Sequence, residues 1–511
     1  MGKECPEWAA NELSLRGEVE RWIRESIRRQ ECTPWRGGHD EGTFASSWVG
    51  YYLLTGDRDC LRFLYWLRDT FIEWSRRNQY HGYYRRGEVH HQTETYNDFL
   101  GHLWRAEKTD LVVSVLEDVA HHVGNWVEGV PEWYDWGRHR FRSWWLGTCE
   151  VREYPPYDFE TCDHFRLVKI VLNAYLATGK ERYLELARDY SDRWCRLILK
   201  GETIPTVLYP TEDPEELMRL YGRYFGGERT RIIGFQEDIT RYIAGGVLDT
   251  LLDLYALTKE ETYIEASRRV IDELYSFLNQ PPIIIWRYRD LTGDGRYDER
   301  VISWIRRFME EPLPTILMLE GVERTSLKYA YRTEDGEVRE CKTPSSLHLL
   351  LGYRISGDER LLNKAMALAS RRLRLARPFI RDGREHGCDR RYLHGVGSEA
   401  VYTLCSVTMG LYYLCGGYLP KVLYFKGRRL GLPRGVAALL KEASESRMNI
   451  LLYNDLEGDE AITIKVMEEG YRIRELLVNG VKSGDFSGDE ARVVVGSKAV
   501  SYTHLTLPTT E

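Results

Sequence analysis

Apolar positions recur at helical spacing along most of this chain, and the periodic stretches end on a shared signature. It reads Ala-Tyr-Leu-Ala-Thr-Gly-Lys at Ala174–Lys180, Tyr-Leu-Leu-Thr-Gly-Asp at Tyr52–Asp57, Tyr-Ala-Leu-Thr-Lys at Tyr255–Lys259 and Tyr-Arg-Ile-Ser-Gly-Asp at Tyr353–Asp358. Weaker copies sit at Trp104–Asp110 and Leu411–Gly417. Each copy closes one helix and starts another, as a glycine-bearing turn does. The pattern predicts a first helix near Leu13–Arg29 and six hairpin helices starting near Asp40, His91, Asp163, Glu237, Ser345 and Gly397. Successor helices are predicted at Arg58–Arg76, Asp110–Val123, Glu181–Leu199, Glu261–Leu278 and Glu359–Leu373. The sixth hairpin lacks a successor, which the N-terminal helix supplies if the array closes on itself. Ile283–Asp290 and Lys328–Lys342 read as loops or short strands.

The period changes after Pro420. Short β-branched runs separated by Asn-Gly and Gly-Asp turns predict a β-sandwich-like domain. The expected division is residues 1–420, a helical toroid; 421–499, a β-rich C-terminal domain; and 500–511, a foreign tail. Val500–Thr510 looks like a translated sequencing adapter, so it is set aside from fold reasoning and the β-domain is expected to be truncated.

Composition narrows the function. The chain has 511 residues, a net charge of −7 and mixed acids and bases, which argues against nucleic acid as the main partner. No apolar run is long enough to span a membrane. The ten cysteines form no Cys-x-x-Cys pair, and Cys60, Cys195 and Cys405 read as buried free thiols, which suggests a reducing, cytoplasmic setting. Fifteen Trp and 34 Tyr suit either ordinary packing or stacking on sugar faces.

The hairpin signature with a C-terminal β-domain resembles the six-hairpin (α/α)6-toroid carbohydrate-active enzymes: unsaturated glucuronyl hydrolases, other six-hairpin glycosidases, toroid polysaccharide lyases and sugar epimerases. The resemblance covers roughly Leu13–Pro420. It implies a mainly α fold, an oligo- or polysaccharide substrate and an active site where the inner helices begin.

Those helix starts carry the unusual polar residues: His39, Asp40 and Glu41 on the first; His90, His91, Gln92 and Glu94 on the second; Asp158, Glu160, Asp163 and His164 on the third; Glu237 on the fourth. Asp40 precedes Thr55 by 15 residues (55 − 40), and Asp163 precedes Thr178 by 15 (178 − 163). Gln92 stands at the same offset before Glu107 (107 − 92). Equal offsets put these groups at one depth, about 22 Å from their turns at 1.5 Å per residue. Asp40 and Asp163 are the expected carboxylate pair of a glycoside hydrolase, with His91 and Glu94 assisting. Helix capping is the alternative for Asp40 and Glu41, and a salt-bridged helix start for Glu237. His90 and Glu94 share a helix face, suited to proton transfer, metal ligation or structure. A polysaccharide lyase using His90 or His91 with Tyr83, Tyr84 or Tyr96 is the second enzyme reading. A non-catalytic carbohydrate-binding repeat is the third.

Trp133 and Trp136 lie in an aromatic loop suited to sugar stacking, and Arg384 and His386 precede the sixth inner helix. No cofactor is expected for catalysis. Asp290, Thr292, Asp294 and Asp298 take positions 1, 3, 5 and 9 of an EF-hand-like loop with Gly295 at 6, so a structural Ca²⁺ is the candidate metal. Val301 stands where the bidentate Glu belongs, and the alternative is an Asp/Gly-rich turn.

Overall fold

The structure is a computed structural model that describes residues 4–30, 34–37, 41–224, 238–320, 326–379, 396–417, 421–444, 446–467 and 472–507. The chain is mainly helical, with hairpins followed by a β-rich region, as the periodicity predicts. It divides into two compact units: Met1–Leu67 with Ile285–Glu511, and Arg68–Ile284.

The repeated signature has one physical meaning. Thr55, Thr178, Thr258 and Ser356 each donate a side-chain hydroxyl to the carbonyl four residues back, at 2.7–2.8 Å. The same hydroxyls accept from the backbone N–H two residues ahead, at 3.2–3.4 Å. Between them sits a left-handed residue: Gly56, Gly179, Lys259 or Gly357, with φ of 58–70°. Its N–H bonds the carbonyl of Tyr52, Tyr175, Tyr255 or Tyr353 at 2.7–2.9 Å. The hydroxyl thus links the last turn of one helix to the N–H of the residue that opens the next. In the first and last copies Asp57 and Asp358 add a side-chain cap to the following helix.

In the first unit, the helices Glu41–Thr55 and Val396–Gly416 pack closely. A Cβ on Gly50 would stand 3.1 Å from Tyr412 Cβ, so a small residue permits the approach. Two five-stranded antiparallel sheets follow. One runs in the order Val436–Ala443, Arg447–Asn454, Ala499–Thr506, Glu475–Val478, Val481–Ser483. The other runs Phe486–Ser487, Glu490–Val495, Glu460–Val466, Val422–Lys426, Arg429–Leu430. Period-two burial marks them, as at Ala491, Val493 and Val495. Arg16 and Arg354 tie helices to the first sheet through the carbonyls of Val436 and Leu440.

Three expectations are revised here. Ile285–Thr292 is a helix rather than a loop. The strand Ala499–Thr506 pairs along its whole length with Arg447–Asn454, so residues set aside as a foreign tail lie in the middle of a sheet. Ser501, Thr503 and Leu505 alternate inward, which is all a strand position requires. In the second unit the fourth inner helix is broken into Arg241–Ala244 and Val247–Thr258. Gly245 crosses so near the third helix start that a Cβ would lie 2.5 Å from Cys162 O.

The rest of the second unit comprises Asp110–Val123, Phe165–Thr178, Glu181–Lys200 and Glu261–Leu278, with the second inner helix between Val89 and Ala106. Among the described residues no helix is long and apolar enough to cross a membrane. Cys60 and Cys195 are buried free thiols; the Cys405 side chain lies outside the described residues.

Candidate active site around His90

The second inner helix begins on Glu88, whose carboxylate accepts from the backbone N–H groups of His90 and His91. The cap fixes the first turn, so His90 and Glu94 fall on one face, with Nε2 and Oε1 3.2 Å apart. After Glu94 the backbone widens into a π-helix, Thr95–Leu100, before continuing as Gly101–Ala106. Such bulges often accompany functional sites. Gly101 permits a close approach there: a Cβ would meet Asn173 Nδ2 at 2.6 Å.

The third helix starts with a 3-10 turn, Cys162–His164, capped by Thr161. Thr161 Oγ1 accepts from the Asp163 N–H at 3.1 Å. The turn delivers Asp163, fully buried, to the other side of His90, with Oδ1 3.3 Å from His90 Nδ1. Arg241, at the start of the broken fourth helix, ion-pairs with Asp163 Oδ1 and sets Nη2 3.0 Å from His90 Nδ1. Arg166 anchors the group by donating to Ala244 O at 2.6 Å. Three helix starts therefore converge on one imidazole.

The electrostatics sort these groups by role. Burial works against the ionised form of Asp163, but the His90 bond and the charges of His90, Arg241 and Arg166 hold its carboxyl far below the carboxylate range. It stays an anion. Burial and Arg166 depress His90, yet its bonds to Asp163 and Glu94 outweigh them and raise its pKa above the ordinary value. Asp163 Oδ2 is buried without a hydrogen-bond partner, while Glu94 retains some exposure. The arrangement is a histidine held by an enclosed carboxylate on one nitrogen and an accessible carboxyl group on the other, suited to moving a proton.

Other candidates fall elsewhere. His91 is exposed and pairs with Glu88 rather than joining His90 at Asp163. Gln92, the residue at the matching offset, is buried and donates to Leu146 O at 2.8 Å. Glu160 is buried, accepting from the Phe141 N–H and from Arg193. His164 is buried; it accepts from the Thr161 N–H and bonds Ser143 O through Nε2, so it braces the turn as a neutral ring. Asp158 accepts from the Tyr221 hydroxyl at 2.5 Å. Glu41, in the first unit, closes its own loop onto the N–H groups of Arg36 and Gly37.

The structure corrects the aromatic expectation. Trp133 is fully enclosed, stacked on His122 at 5.2 Å and bonded to Gly147 O, so it offers no platform to a sugar. Trp136 packs on Tyr134 and donates to Gly124 O. Tyr83 and Tyr96 are buried, with hydroxyls spent on Val119 O and Gly82 O.

At the candidate calcium loop, neighbouring side chains engage the carboxylates. Asp290 and Thr292 lie within a helix, and Thr292 Oγ1 donates to Tyr288 O. Asp294 accepts from Tyr288 and Arg296, Asp298 from Arg289, and Asp290 faces Arg354. Among the described residues no three His, Cys, Asp or Glu are grouped to hold a metal ion.

His39, Asp40, Glu237, Arg384 and His386 lie outside the described residues. Two site residues were not singled out from sequence, Arg166 and the capping Glu88. Arg241 is a third, on the helix start that carries Glu237 in the sequence. The available signal was a charged residue within the first turn after a candidate acid.

No protein-family model matches this chain, and no curated protein matches it. Solved structures do. An unsaturated glucuronyl hydrolase from Bacillus sp. GL1 is 11% identical, covering 78% of this chain and 96% of that one, with a TM-score of 0.39. A family 76 glycoside hydrolase from a bovine Bacteroides thetaiotaomicron strain is 11% identical, covering 78% of each, with a TM-score of 0.43. D-mannose isomerase is 11% identical, covering 77% of this chain and 97% of that one, with a TM-score of 0.37.

Proposed function

We propose that this chain is a carbohydrate-active enzyme that hydrolyses glycosidic bonds, with His90 and Glu94 as its proton-transfer pair. The observation that carries this reading is His90 held between Asp163 and Glu94, with Arg241 beside it. Asp163 is a positioning residue: it is enclosed and ionised, so it fixes the His90 ring and sustains its charge. Glu94, part-exposed like His90, acts as the proton donor to a leaving-group oxygen, with Oε1 3.2 Å from His90 Nε2. Elimination from a uronate is a second reading, with His90 as the group that takes the proton.

The test is a panel of neutral and uronate-containing polysaccharides, read by reducing ends and by ultraviolet absorbance of unsaturated products. Reducing ends without absorbance support hydrolysis; both rising together support elimination. Glu94→Gln and His90→Gln should each lower kcat by about 100-fold or more. Full activity in either folded variant overturns the reading. Asp40→Asn is the companion variant nominated by the sequence register.

A further inference from the structure

The first unit contains a cavity of about 630 Å³ that takes no part in the His90 site. Its walls come from the helix Glu7–Gln30, the hairpin turn after Thr55 and the strand pair around Gly427. Six cations line it against three acids. The acids are already committed: Asp57 and Asp59 to Arg24, and Glu20 to Arg24 and Arg434. Lys426 is committed to Glu460.

Two exposed guanidiniums are left over among the described residues, beside a third that is buried. Arg58 and Arg429 are exposed at the cavity, and among the described residues neither side chain has an ion-pair or hydrogen-bond partner. Arg16 is 5% exposed; its Nη2 is held by Val436 O, its Nε faces Glu12, and its Nη1 is buried without a partner. A buried guanidinium under two free exposed ones gives a positive field that solvent screens poorly at its base. Guanidiniums match tetrahedral oxyanions through paired N–H donors, and the volume exceeds what one ion fills.

We infer that this cavity binds a sugar-sized ligand bearing a phosphate or sulfate group, with Arg58 and Arg429 contacting the anion and Arg16 supporting them from beneath. The floor is rigid where the turn and the strands touch. A Cβ on Gly56 would fall 1.7 Å from Leu430 O, and one on Gly431 would fall 2.0 Å from the carbonyl carbon of Thr55. Backbone packed this tightly holds the two exposed arginines on fixed supports.

Isothermal titration of the full chain tests this with inorganic phosphate and with glucose 6-phosphate, against glucose and chloride at equal ionic strength. Saturable binding of either phosphate probe is expected, weakened about tenfold or more by R58A/R429A, as loss of charge-assisted hydrogen bonds requires. Both positions are exposed, so the double variant keeps its fold. Binding of both probes identifies the free anion as sufficient; binding of glucose 6-phosphate alone identifies the ester. The control R339A/K482A removes two exposed cations outside the cavity and leaves binding unchanged. Absence of saturable binding by either probe, or equal binding by R58A/R429A, overturns the inference.

Discussion

His90 and Asp163, 73 residues apart in sequence, meet with Nδ1 and Oδ1 at 3.3 Å. The contact raises the imidazole and keeps the carboxylate ionised. Because the folded-state pKa of His90 is raised, its charged form is favoured below that value and is lost as pH rises through it. Asp163→Asn removes the anion that raises His90, so the high-pH limb of kcat/KM moves to lower pH. The same change breaks the ion pair of the buried Arg241 with Asp163, at a cost of roughly 3–5 kcal/mol in stability. A pH–rate profile with chemical denaturation checks both; an unmoved limb disproves the coupling.

Glu12 gives the first unit a pH dependence of its own. Burial lifts its carboxyl to about 7, only partly offset by Arg16. A raised pKa means the folded state holds the proton more tightly than the unfolded chain. Stability is therefore greatest below the unfolded value and declines as pH rises to about 7. The decline amounts to roughly 3 kcal/mol. Glu12→Gln should remove that slope, seen as denaturation midpoints that diverge from the parent protein between acid and mildly alkaline buffer.

Gly179 and Gly56 share a left-handed backbone but not their surroundings. Nothing lies within 4 Å of a Cβ on Gly179, so Gly179→Ala costs only the backbone strain, about 1–2 kcal/mol. Gly56→Ala drives a methyl group into Leu430 O and should unfold the first unit. Similar losses in both variants, measured by calorimetry, would contradict this distinction.

Trp133→Ala should destabilise the second unit by about 3–5 kcal/mol, as removal of an enclosed aromatic does, and leave KM for any polysaccharide unchanged. A specific rise in KM with intact stability would return Trp133 to a binding role.

Much of this architecture is legible in the chain. The Tyr-x-x-Thr-Gly turns announce themselves because the same hydroxyl and left-handed residue solve the same capping problem at Thr55, Thr178 and Ser356. Depth along a helix is legible too, since Asp163 lies at its helix start. Rotation is not. The offset nominates Gln92, but His90 reaches Asp163, and the sequence does not reveal that a π-helix follows Glu94. Nor does composition separate Trp133, sealed against His122, from a tryptophan open to a sugar. The Asp290–Asp298 spacing matches a calcium loop, yet Arg289, Arg296 and Arg354 answer the same carboxylates.

The first unit is discontinuous in sequence, and synthesis runs in one direction. Arg16, on the helix Glu7–Gln30, awaits the carbonyl of Val436, 420 residues later. At about 5–20 residues per second, a ribosome delivers that partner on the order of 20–80 s after the helix. Residues Arg68–Ile284 emerge complete in the interval. The early helix therefore keeps the face that meets Glu359–Ala376 and the sheet uncovered for most of translation, and chaperone demand during synthesis should fall on the first 67 residues rather than on the His90 site.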